Sequence, residues 1–415
     1  MQFVCDIHNH ISVKTYLYND TILDGNLKDG GFLRDIIDKL NPNPEVNVVE
    51  FQTTLQKIKD GGLSGVIASH YIPEFELLSN LTNETKFLLG IAKSIAPQIY
   101  NRVEKDTWRR RTFEATIESF NVLEKKLFQA SVDGIEAVVV KDYQSLMRAL
   151  QNEKIVILHS VEGAHQLGRV GDGVSFDEQL NNLHTLSKRG VSYLTLAHFF
   201  SNDFVKPVQG LPPHVRTSIY KNRNWKHHQH DSIGLLKNGS ALVEEMLKIG
   251  MIVDLTHSGR AVRDEVYKIN DNKRPLIFSH TGVQSLFQNT TYPTDSLLGV
   301  SDTDIKAIKD CNGVIGVIFY NYWLVGKEEP AGSRIDFGLE HIYNSIQYIY
   351  NQTKTFDNIS IGTDFDGMTD PPDDISDVSY FSTLRSFLLQ KKMNVPDIEK
   401  IMGGNMLRVL QNGWR

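Results

Sequence analysis

The sequence predicts an α/β protein built as one closed (β/α)8 barrel. Three observations predict it: eight short apolar runs are spread along 415 residues, amphipathic helical stretches separate most of them, and no glycine-rich phosphate turn follows the first run. Parallel strands are buried on both faces, so they read as continuous apolar runs rather than as alternating ones. The absent turn weighs against an open doubly wound sheet.

In chain order the first four runs are FVCDIH from Phe3, LSGVIAS from Leu63, KIVILHSVEG from Lys154 and VSYLTLAHF from Val191. MIVDLTHSG from Met251, PLIFSHTG from Pro275, GVIGVIFY from Gly313 and ISIGTDFDG from Ile359 complete the set. The patterns DEQLNNLHTLSKRG before the fourth run and SALVEEMLKIG before the fifth are amphipathic and stop at glycine, as helices do. Three stretches exceed ordinary connections, about 16–44, 73–150 and 202–231, and are expected as insertions on a single domain spanning 1–415. The second holds a charged segment from Asn83 to Ala130 that reads as helical; the third lies where a lid over the active face would sit. His227, His228 and His230 fall in that third stretch beside lysine, and a solvated surface accounts for them better than a metal tract.

Composition narrows the function classes. The formal net charge is only -6, and its acidic and basic residues are mixed along the chain, so nucleic acid is not an expected partner. No segment reaches the roughly 20 uninterrupted apolar residues that span a bilayer, so no membrane partner is expected either. Cys5 and Cys311 lie far apart inside apolar runs, which argues against a disulfide framework. The opening MQFVCDIHNH turns polar within six residues, and with the cysteine usage it leads to the expectation of a cytoplasmic protein.

Chemistry enters where polar residues close the runs. The carboxyl ends of barrel strands form the active face, and six of the eight runs end there in a residue able to bind a cation or move a proton. His8 and His10 end the first, and their spacing of two puts both imidazoles on one face of an extended chain. Glu162 closes the third, His198 the fourth, His257 the fifth, His280 the sixth and Asp364 the eighth. Buried ionisable groups destabilise a fold unless paired or metal-bound, so repeated placement at one end is poorly explained by packing. His8, His10, Glu162, His257, His280 and Asp364 are therefore candidates to hold a cation or move a proton, with His198 at the end of the fourth run beside them. Asp6 and Asp254, two or three residues before a ligand, read as structural, Asp366 as a turn cap or a support for a histidine, and His70, His159 and His165 as satisfied core histidines.

The motifs DIHNH at Asp6, HSVEG at His159, YLTLAH at Tyr193, GMIVDLTHSG at Gly250, IFSHTG at Ile277 and GTDFDG at Gly362 occur in one order, supported by EHI at Glu340 and GGNMLRVL at Gly403. In them the chain resembles the membrane (renal) dipeptidase family of zinc metallopeptidases, within the amidohydrolase superfamily of (β/α)8 barrels, from Asp6 to about Leu410. That resemblance implies two divalent ions per chain, zinc in the family, bridged by Glu162, with His8 and His10 on one and His257 and His280 on the other. It implies a dipeptide or related amide as the small-molecule substrate, contacts to it from His198, Asn202 and Tyr320, and a homodimer as the family's frequent assembly. A water activated by the ions would attack the carbonyl, Asp364 would carry its proton to the leaving amine, and His198 would donate to the oxyanion.

Two departures from the family pattern bear on substrate and metal. The first strand reads His8-Asn9-His10 where the family has His-x-Asp, which leaves the metal pair one unit more positive without removing a ligand. The stretch VQSLFQNTTYPTD after His280 contains no arginine, whereas family members place one there to bind the substrate carboxylate; neither Gln288 nor Asn289 supplies that charge. Arg260 reaches toward the same pocket or faces solvent. The alternative is an amidohydrolase acting at the same centre on an N-acyl amino acid, a lactone or a cyclic amide, and a catalytically silent barrel used for binding is the reading from another class.

Overall fold

The computed structural model describes residues 3–18, 22, 51–76, 111–132, 135–208, 210–211, 231–289, 291–326, 338–367, 371–372 and 374–415. Among them lie nine strands: β1 Cys5–Asn9, β2 Gly65–His70, β3 Ala137–Val139, β4 Ile155–Glu162, β5 Val191–Thr195, β6 Ile252–Asp254, β7 Ile277–Thr281, β8 Val314–Val317 and β9 Ile359–Ile361. The strand order β1-β2-β4-β5-β6-β7-β8-β9 follows the chain, and every pairing is parallel. The ring is completed by a parallel bridge between Asn9 and Phe365, with His10 N–H donating to the Phe365 carbonyl at 2.8 Å and Asp364 N–H to that of His8 at 3.1 Å. All eight predicted runs are barrel strands.

β3 is the element the sequence reading passed over. Its three residues pair with Ile155–Ile157 of β4, on the edge that β5 takes over from His159 onward. A strand of three residues leaves too little period to detect. Of the stretch expected to be helical, Thr112 to Ala130 lies in the helix Thr112–Val132; the part before residue 111 and the run His227, His228 and His230 fall outside the described residues.

Two apolar clusters separate the faces of the barrel wall. Val66, Ile157, Leu194, Val253, Phe278 and Ile315 pack with helix residues such as Leu183, Leu242, Ile305 and Ile346. Their chain neighbours Ile67, Val156, Tyr193, Ile252, Ile277 and Val314 form the second cluster with Met406 and Leu410 of the carboxyl-terminal helix Asn405–Gly413. Adjacent strand residues must point to opposite faces, so the second cluster fills the interior. At the amino end of β1 a β-carbon on Gly403 would meet the Phe3 carbonyl at 2.2 Å; only glycine allows the chain before that helix to press so close. The mouth at the opposite end is left to polar side chains. No described helix is long and apolar enough to cross a membrane.

The core histidines are satisfied as expected. Glu124 can only accept, so His159 donates to it from Nε2 at 3.3 Å and accepts at Nδ1 from His70 Nε2, 2.9 Å away. His70 Nδ1 then accepts from the Ser119 hydroxyl at 2.7 Å. Burial keeps both rings neutral by pushing their pKa values down. His165 is held by the Ile72 carbonyl at 2.8 Å. The hydrogen bond from His159, and after it Arg189 at 2.9 Å, hold Glu124 down at about 2 against an ordinary 4.5. A depressed acid contributes stability above its unfolded pKa and loses it as pH falls through the folded one. Glu124→Gln is thus expected to lower the unfolding temperature at pH 7, with the gap to wild type narrowing as pH drops from 4.5 toward 2; thermal unfolding at pH 7 and pH 3 checks this, and an equal gap at both would refute it.

Candidate metal centre

Four imidazoles and two carboxylates converge at the barrel mouth. Tyr193 donates its hydroxyl to the Ile7 carbonyl at 2.9 Å, so its oxygen must accept from His8 Nδ1, also at 2.9 Å. That bond fixes the tautomer and leaves a lone pair on His8 Nε2 facing inward. His280 is set the same way: Ser279 donates to Asp254 at 2.7 Å and accepts from His280 Nδ1 at 3.0 Å. His10 and His257 also turn Nε2 inward, and their buried Nδ1 atoms have no partner among the described residues.

The inward nitrogens form two pairs, His8 with His10 at 3.2 Å and His257 with His280 at 3.2 Å. Glu162, the last residue of β4, lies between them. Its oxygens stand 3.6 Å from His8, 3.2 Å from His10, 3.4 Å from His257 and 3.5 Å from His280. Asp364 Oδ1 adds contacts of 3.1 Å to His10 and 3.7 Å to His8. Tetrahedral ligands at about 2.0–2.1 Å from zinc are separated by about 3.3 Å. The donor spacing therefore fits two cations sharing Glu162, and lone pairs meeting head-on without a cation between them would repel.

Electrostatics agree. Burial favours a neutral Glu162, but His198, His8 and His10 around it outweigh that and hold the carboxylate well below its usual range. Burial, followed by the neighbouring His280, pushes His8 well down, and burial also lowers His257. His10 goes the other way: burial lowers it, yet the Asp364 and Glu162 carboxylates beside it raise it to about 10.

The backbone is strained where the ligands sit. His257 has φ 63° and Asp364 φ 63°, and Asp366 φ 65°, in the left-handed region that non-glycine residues rarely occupy. Two buried aspartates hold these turns. Asp254 accepts from Thr195, Thr256 and Ser279, joining β5, β6 and β7 just below His257 and His280. Asp6 accepts from Asn9 at 3.0 Å and from Thr363 at 2.6 Å, tying β1 to the segment that carries Asp364. Both are structural, as their position in the strands implied.

A family model described as membrane dipeptidase (peptidase family M19) matches residues 19–413. The chain belongs to that family. It is 30% identical over 267 residues to the dipeptidase tcpJ of Claviceps purpurea, covering 64% of this chain and 53% of that protein. It is 28% identical over 257 residues to the dipeptidase aclJ of Aspergillus oryzae, covering 62% of this chain and 51% of that protein. The chain thus spans about half the length of these two relatives. The fold is similar to that of a metallopeptidase from Rhodobacter sphaeroides solved with a phosphinate mimic of the dipeptide L-Ala-D-Ala, with a TM-score of 0.65, 16% identity and full coverage of both chains.

The remaining predicted residues differ in where they fall. His198 lies three residues beyond β5, with Nε2 3.7 Å from Glu162 Oε2 and Nδ1 3.1 Å from Glu74 Oε1. Burial lowers its pKa, but Glu162 and Glu74 outweigh burial and raise it, which favours the form of the ring with N–H on both nitrogens. Asn202 is bound into its own loop: Nδ2 donates to the Leu196 carbonyl at 2.9 Å, and Oδ1 accepts from Phe204 and Val205, both at 2.9 Å. Those bonds hold its loop and use one of the two Nδ2 hydrogens. Tyr320 stands three residues beyond β8 at the same mouth, buried beside Tyr322 and Trp323. Arg260 is exposed, its guanidinium 3.4 Å from the Thr303 hydroxyl, away from the centre. Asp366 accepts from Lys14 at 2.8 Å and from the Gln52 and Thr53 amides. Sequence reasoning missed Glu74 and Tyr193: the signals were an acid five residues past the second run and a hydroxyl inside an apolar one.

Proposed function

We propose that the chain hydrolyses the amide bond of dipeptides, using two divalent ions, zinc by preference, held by His8, His10, Glu162, His257 and His280. The observation that supports this is the spacing of inward lone pairs around the shared carboxylate of Glu162. Membership of the dipeptidase family, the names of the relatives and the dipeptide mimic bound to the similar Rhodobacter sphaeroides enzyme point to the same substrate class. Ions bound there would supply Lewis acidity, making a water easier to deprotonate and a carbonyl easier to attack.

The chain's own groups do the rest. Asp364, on its strained turn at the edge of the cage, accepts the proton of the attacking water and returns it to the departing nitrogen, which leaves poorly as an anion. His198 presents Nε2–H to the oxygen that gains charge as the carbonyl carbon becomes tetrahedral. A reducing compartment belongs to the same reading, since Cys5 and Cys311 are both free and buried.

Protein purified without chelator is expected to hold two zinc ions per chain by elemental analysis and to cleave L,L or L,D dipeptides. Chelation should abolish turnover and zinc restore it. Protein that contains no ions and refuses them when offered would overturn the reading. One observation favours a second substrate class: among the described residues of the stretch after His280, Phe287 packs against Tyr322 and Trp323, and no cation is present to meet a free carboxylate. Turnover of N-acyl amino acids, lactones or cyclic amides with silence toward dipeptides would select that alternative.

A further inference from the structure

Glu74 lies four residues beyond β2 and is 3% exposed, yet it belongs to neither group of candidate ligands. Both of its oxygens are engaged. Oε1 accepts from His198 Nδ1 at 3.1 Å and from the Phe199 amide at 3.0 Å; Oε2 accepts from the Tyr71 hydroxyl at 2.6 Å. A carboxylate with four donor-ready lone pairs and three donors in place is a fixed acceptor, so the His198 ring cannot turn without breaking a charge-assisted bond in a dry site. The ring is also wedged between Tyr71 and Phe199, whose centroids lie 4.4 Å and 3.7 Å from its own. With Nδ1 held by Glu74, the opposite nitrogen can only face Glu162 and the cage, 3.7 Å away.

We propose that Glu74 is a positioning residue for the reaction: by holding His198 Nδ1 it aims Nε2–H at the place where the substrate carbonyl oxygen gains charge. The kinetic half of this statement rests on the dipeptide-hydrolase reading. The rival is a purely structural role, in which Glu74 does no more than fasten the loop after β2 to the loop after β5. The two differ in what they move. Fastening alone would lower metal content, KM quality and stability together, whereas aiming acts on kcat through one ring.

The test uses the metal-loaded full chain and the variants E74Q, E74D, H198A and E74Q/H198A. E74Q is expected to keep two ions per chain and a KM within about threefold of wild type while kcat falls about 10–100-fold, the usual cost of losing a group that orients an active one. E74D, which retains the charged acceptor, should recover a large part of that loss. In the H198A background the same E74Q change should cost less than about threefold, because the ring it acts through is gone. Equal losses in both backgrounds, or a joint fall of metal content and kcat, would overturn the proposal. A second readout does not depend on substrate: in 15N-histidine-labelled protein the exchange-protected His198 Nδ1–H resonance, assigned by its absence in H198A, should shift and lose protection in E74Q, whose neutral amide oxygen is a weaker acceptor than the carboxylate. If wild type proves inert on every dipeptide, the functional reading fails but this resonance still decides whether Glu74 holds the ring; an unchanged resonance in E74Q overturns that too.

Discussion

Asp364→Asn is expected to leave both ions in place and to lower kcat by about a thousandfold, within the range for removing a general acid–base. The side chain keeps its shape, so the amide oxygen still presents a donor where Oδ1 now lies 3.1 Å from His10 Nε2. What it loses is the capacity to take up a proton. The strained φ of 63° at this residue aims the carboxylate inward, and Gly367 guards it, since a β-carbon there would fall 2.3 Å from Asp364 Oδ1. Elemental analysis and steady-state kinetics on the same preparation separate the two contributions. A variant with two ions and wild-type kcat would remove Asp364 from the proton path. A variant without ions would make it chiefly a ligand.

The barrel was legible because all eight wall strands are buried on both faces and therefore leave uninterrupted apolar runs, from FVCDIH to ISIGTDFDG. The cage was legible for a related reason: in such runs a histidine or glutamate at the carboxyl end has no packing role to fill, and His8, Glu162 and His280 stand out against Ile7, Val161 and Phe278. What was not legible came from loops and from paired roles. Glu74 is one acid among several in a polar connection, and nothing local announces that it meets a histidine 124 residues away. Asn202 follows a motif closely enough to suggest a substrate contact, and its amide also caps its own turn, a use that spacing along the chain does not announce. The tyrosine hydroxyl of Tyr193 sets the tautomer of His8 from across the barrel, and such partners are fixed by closure of the ring rather than by spacing along the chain.

Glu162→Gln should have the largest effect on the metals themselves. Among the described residues Glu162 is the side chain within 3.7 Å of His8, His10, His257 and His280 together, so both proposed ions would depend on it. Replacing it removes one negative charge from a buried site that must balance two dications, and it turns one of two anionic donors into an amide N–H pair that repels a cation. Asp364 is the second carboxylate of the cage, 3.1 Å from His10 and 3.7 Å from His8, but it does not take the central place of Glu162 among all four imidazoles. The expected outcome is a fall from two ions to fewer than one per chain, with affinity in zinc titration weakened more than about 100-fold, beyond the range for groups that merely support ligands. His257→Ala, which strips one ligand from one side, should instead cost a single ion. If Glu162→Gln retained two ions at wild-type affinity, the cations would have to be held without a shared carboxylate, and the convergence of four lone pairs on Glu162 would need another cause.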